Sequence, residues 1–100
     1  MLKDFRSYQL ALQLYRRCEG IQIRGPLRDQ LHRASASIVL NLAEGSAKPT
    51  EKDRRRFYAI SLGSLREVQT ILELSQQKAL FRLADHLGAC IYKLSRKPAS

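Results

Sequence analysis

From Ala36 to Gly45 the chain reads ASIVLNLAEG, and on a helix these residues put apolar or small side chains on nearly every side. A helix of that kind has to be buried on more than one side. The wider stretch Leu31 to Gly45 also holds the least ordinary polar residues of the chain, Ser35, Ser37, Asn41 and Glu44. The rest of the sequence has to be arranged around it.

Leu27, Leu31, Ala34, Ile38, Leu42 and Gly45 share one face of this helix, and Leu40 lies almost opposite. Pro26 suits its first turn, where a missing donor costs nothing, and Gly45 is expected to stop it, giving a helix over about 26–44. Before it, Phe5, Tyr8, Leu12 and Tyr15, widened by Ala11, Leu14 and Cys18, predict a helix over about 4–19 that Gly20 ends. After it, Thr50 with Asp53 resembles a capping box and opens a third helix over about 51–78. The fourth, about 83–94, carries Leu80, Ala84, Leu87, Ile91 and Leu94, and the basic residues Arg96 and Lys97 follow with Pro98. No stretch alternates strictly enough for a strand. Four helices with short links in a domain of 100 residues predict an all-α, antiparallel up-down four-helix bundle.

The third helix has two apolar stripes: Phe57, Ile60, Ser64, Val68, Ile71 and Ser75, and, about a third of a turn away, Tyr58, Leu62, Leu65, Gln69 and Leu72. A bundle needs one stripe per helix, so Leu40, Tyr58, Leu62, Leu65 and Leu72 are expected at an interface between copies of the chain, because soluble monomers avoid large apolar patches. Gly63 beside Ser64 predicts a point of close helix packing.

Charge narrows the partner. Eighteen Lys and Arg stand against nine Asp and Glu, a net +9 with a pI near 10.2. The excess is mostly arginine, whose planar fork suits phosphate, and so large a surplus in a small domain points to a polyanion. It is spread along the chain, with its densest cluster at Lys52, Arg54, Arg55 and Arg56. These, with Arg66 and Arg33, are the expected nucleic-acid-binding residues, and spread charge suits backbone phosphates rather than base reading. The few aromatics sit at core spacing, so base stacking is not indicated. Cys18 and Cys90 have no metal spacing and read as small buried hydrophobes. No run of about 18 apolar residues offers a membrane span, and MLKDFRSYQL is unlike a secretory signal, so a cytoplasmic protein is expected.

Catalytic signatures are missing. His32 and His86 form no i, i+4 metal pair, and Asp29, Glu44, Glu67 and Glu73 are single carboxylates with no spacing that pairs them. Ser35, Ser37, Ser61 and Ser64 lack a nucleophile turn, and no glycine loop has phosphate-binding spacing. No catalytic residue, cofactor or metal is expected.

QLHRASASIVLNLAEGSA, followed by RRRFYAISLGSLREVQTILEL, resembles the small bacterial four-helix-bundle proteins encoded in intervening sequences of large-subunit ribosomal RNA genes. The same family is related to the accessory variability determinants of diversity-generating retroelements. The features shared are Gln30-Leu31 with Arg33-Ala34, Ser37-Ile38, Asn41 to Gly45, and Gly63-Ser64-Leu65 with Glu67, within a likeness spanning roughly Phe5 to Leu94. The resemblance implies a ring-shaped homopentamer and, for retroelement members, a basic surface that binds nucleic acid and a reverse transcriptase partner.

Two functions follow as expectations. One is a basic homo-oligomeric accessory protein on RNA or DNA backbone, with a reverse transcriptase as its companion. The other is a structural adaptor whose charge serves an acidic protein partner.

Overall fold

A computed structural model describes residues 5–97. Asp4, the expected start of the first helix, and Pro98, at the expected basic end, lie outside the described residues. Among the described residues four helices form: α1 (Arg6–Glu19), α2 (Pro26–Ser46), α3 (Glu51–Leu74) and α4 (Phe81–Ser95), with a 3-10 turn at Lys78–Leu80 before α4. There is no strand among the described residues. Each helix packs on the next in sequence, and α1 closes the bundle against α4.

Local chemistry explains the ends. Gly25, at φ +69°, turns the chain into Pro26 at the head of α2, a backbone state that glycine enters freely. Thr50 Oγ1 accepts from the Asp53 amide at 3.2 Å and caps α3, while Glu51 and Asp53 sit where the helix dipole favours negative charge. The third helix ends at Leu74, four residues short of the expected Lys78. Gln76 adopts φ +58° there, the Gln77 amide reaches back to Leu72 O at 2.9 Å, and the Gln76 amide to Glu73 O at 3.1 Å. This pair of bonds closes a helix whatever the residue at its left-handed position, so a glutamine does what a glycine would have signalled.

The core joins Leu10, Leu14, Ile38, Leu42, Leu65, Val68, Leu72, Leu87 and Ile91, all nearly sealed from solvent. Burying each such side chain stabilises the fold by about 1.5–3 kcal/mol. On α1 the inner line is Ser7, Leu10, Ala11, Leu14 and Cys18; Phe5, Tyr8, Leu12 and Tyr15 are only half-buried.

The expected interface residues separate here. Tyr58, Leu65 and Leu72 lie inside the core of the single chain, Leu65 and Leu72 at 0% exposure, and Leu62 is half-buried against it. The reason is that α3 is clamped between α2 and α4, so it needs an apolar arc as wide as two stripes. Apolar surface does remain outside: Leu40 is 66% exposed and Ile60, expected in the core stripe, is 44% exposed. Both lie on the outward side of the α2–α3 pair.

Small residues bring α2 and α3 together. Gly45, expected to end α2, instead lies buried in its last turn against Phe57 and Tyr58. Phe5 joins the same end, its ring 6.0 Å from that of Tyr58. Further along the seam Ser61 Oγ donates to Ile38 O at 2.9 Å, and the Ser37 and Ser64 hydroxyls meet at 2.7 Å. Asn41 Nδ2 donates to Ser37 O at 2.9 Å and to Ser37 Oγ at 3.0 Å. Asn41 is thus a packing residue, and Glu44 pairs with Lys48 at 3.2 Å near the helix end. Gly63 is exposed and nothing lies within 4 Å of where its Cβ would be, so the close contact in this part of α3 is made by Ser64.

Candidate nucleic-acid interface

At 3.6 residues per turn, Lys52, Arg56, Ala59, Gly63 and Arg66 fall along one outward face of α3, and all five are exposed. This face gathers three of the six expected basic residues. Arg56 lies over the Phe57 ring at 4.8 Å from its centroid, and Lys48 of the α2–α3 loop lies at 4.9 Å from the same centroid. One half-buried aromatic thus carries two cations at the α2–α3 turn. Arg66 donates to Gln69 Oε1 at 2.8 Å.

The other three are employed differently. Arg54 Nη1 donates to Lys48 O at 3.0 Å and Pro49 O at 3.2 Å, so it ties down the α2–α3 loop. Its charge also opposes the effect of burial on Tyr58, whose hydroxyl burial pushes above its ordinary pKa. Arg55 pairs with Glu51 at 3.4 Å. Arg33 is exposed on α2, at a cavity of about 600 Å³ between the end of α1 and the start of α2 that Arg28, His32, Cys18 and Glu19 also line.

Only two ion pairs form among the described residues, Lys48–Glu44 and Arg55–Glu51. Most of the basic excess therefore faces solvent without a carboxylate partner. Two features emerge only in three dimensions. One is Lys48, brought over Phe57 by the α2–α3 turn. The other is Tyr92, 46% exposed on α4 with the Arg96 guanidinium 5.1 Å from its ring centroid; its place four residues before an arginine was the available signal.

His32 lies against Tyr15, ring centroids 5.6 Å apart. Among the described residues no group of three His, Cys, Asp or Glu could hold a metal ion, and no helix is long and apolar enough to cross a membrane. Cys18 and Cys90 are both free thiols, Cys18 buried and Cys90 half-buried. Burial pushes the Cys18 thiol up to about 11, against a smaller opposing influence from Arg17.

A four-helix fold with unneutralised arginines over its outside defines a small basic all-helical protein. More particularly, the chain belongs to the family described as 23S rRNA-intervening sequence protein, whose match covers residues 4–97. No curated protein and no solved structure matches it.

Proposed function

We propose that this protein is an RNA-binding accessory module that holds backbone phosphates through the outward face of α3 and acts as a homo-oligomer. The observation that supports the reading is the basic surplus: +9 overall, with Lys48 and Arg55 the only basic side chains in ion pairs among the described residues. Lys52, Arg56 and Arg66 present that charge along one helix, with Lys48 beside Arg56. Phosphate contacts of this kind position a strand without reading its sequence. The family description, which refers to ribosomal RNA, favours RNA over DNA as the ligand.

Self-association belongs to the same proposal. Leu40 and Ile60 expose apolar surface on the α2–α3 pair, and Ala36 and Ala43, beside Leu40 on α2, keep that surface low. A ring of five copies, and a reverse transcriptase as companion, rest on the family resemblance.

The test is charge reversal. Arg56→Glu with Arg66→Glu should weaken binding to unrelated RNA sequences alike, with the fold intact by circular dichroism. Binding that survives the double reversal would reject this face. Capture of an acidic protein that persists after nuclease treatment, with no RNA bound by the purified chain, would favour an adaptor instead.

A further inference from the structure

A second surface lies on the α3–α4 side of the bundle. On α4, Asp85, Gly88, Ala89 and Tyr92 follow one another at helical spacing and form a single stripe, and Arg96, in extended conformation just past the end of the helix, returns over the Tyr92 ring. With Arg66 and Gln69 of α3, the first four line a shallow groove of about 380 Å³. Gly88 sets its depth: a Cβ there would come within 3.1 Å of Arg66 Nη1 and 3.3 Å of Leu65 Cδ2. Arg66 is held across the groove by Gln69, whose Nε2 in turn donates to Asp85 Oδ1 at 3.0 Å. Tyr92 stands at the groove with nearly half its surface in water, and Arg96 steadies its ring.

An exposed aromatic ring between two arginines is the composition of a stacking platform for unpaired bases. We infer that this groove binds an unpaired base of single-stranded RNA, which stacks on Tyr92 while Arg66 and Arg96 take the flanking phosphates. Asp85 disfavours a phosphate in the groove itself and offers an acceptor to a base N–H, such as N3–H of uracil, so the base lies inside and the backbone runs outside. A duplex keeps its bases stacked within the helix and does not reach such a ring. The inference rests on the RNA-binding reading above and adds a preference for unpaired strands.

The test compares a short oligouridylate with an RNA duplex, by fluorescence anisotropy at low salt, on the whole chain and on Tyr92→Ala and Tyr92→Phe. Tyr92→Ala should weaken oligouridylate binding about ten-fold, the scale of removing one base stack. Tyr92→Phe should bind as the parent does, and duplex binding should be unchanged in both variants. Oligouridylate binding unaffected by Tyr92→Ala would overturn the platform and leave the phosphate-binding reading standing. Equal losses on oligouridylate and duplex would also overturn it, since the ring would then be supporting the charged surface in general. A parent chain that binds neither RNA at low salt would remove both readings together.

Discussion

Tyr58 fills the space that a side chain at Gly45 would need: a Cβ there would come within 2.8 Å of Tyr58 Cε1 and 3.0 Å of Phe57 Cβ. The second approach is to an atom fixed by the α3 backbone, so a rotamer change cannot relieve it. Gly45→Ala should therefore destabilise the fold by about 1–3 kcal/mol, the usual cost of overpacking, measured by urea unfolding. The penalty should shrink in a Tyr58→Ala background, where only the Phe57 clash remains. An unchanged urea midpoint for Gly45→Ala would show that α2 and α3 do not approach this closely.

Leu65 and Leu40 separate core from surface. Leu65→Ala should cost about 2–5 kcal/mol, as buried leucines do. Leu40→Glu should leave the stability of the single chain within about 0.5 kcal/mol and instead lower the sedimentation coefficient, as should Ile60→Glu. Equal sedimentation of parent and Leu40→Glu would remove this surface from self-association.

The three consecutive arginines should behave unlike one another. Arg54→Ala removes two bonds to loop carbonyls and should lower stability by about 1–3 kcal/mol with little effect on RNA affinity. Arg56→Ala should weaken RNA binding with little effect on stability. The reverse pattern would place the phosphate contact on the loop rather than on the α3 face.

Alkaline pH should destabilise the protein. Burial raises the Cys18 thiol from its ordinary 9.0 to about 11 and moves the Tyr58 hydroxyl in the same direction. Both groups hold their protons longer in the folded chain than in the unfolded one. Their stabilising contribution is therefore complete below about pH 9 and is lost as pH rises toward about 11. Urea midpoints across that range should fall, and Cys18→Ala should flatten the fall. Midpoints independent of pH would show that Cys18 is not sealed in the core.

How far the sequence carries varies from residue to residue. Leu31, Ala34, Ile38 and Leu42 on α2, and Ala84, Leu87 and Ile91 on α4, are core residues at the expected spacings. Thr50 caps where its spacing with Asp53 indicated. The stripes of α3 were visible, but which side chains would be surplus was not: Leu65 and Leu72 went to the core once α4 covered them, and Ile60 went outside. Gly45, expected to end α2, takes the close-packing role expected of Gly63, which lies open in the middle of α3, because a glycine in sequence does not show whether a neighbour lies beside it. Arg54 and Arg56 look alike on paper and differ only by the rotation of two helical positions, which turns one toward the loop carbonyls and the other toward Phe57 and solvent. Tyr92 fits an exposed position as well as a core one at its spacing, and only the place of α3 beside Gly88 reveals the groove.

Affinity for RNA across a salt series reports directly on phosphate contacts at the α3 face. Log affinity should fall linearly as log salt rises. The slope should lessen by about 0.7 for each of Arg56 and Arg66 reversed, the value for one phosphate of a single strand no longer neutralised. No binding at low salt, or an affinity indifferent to salt, would contradict the account.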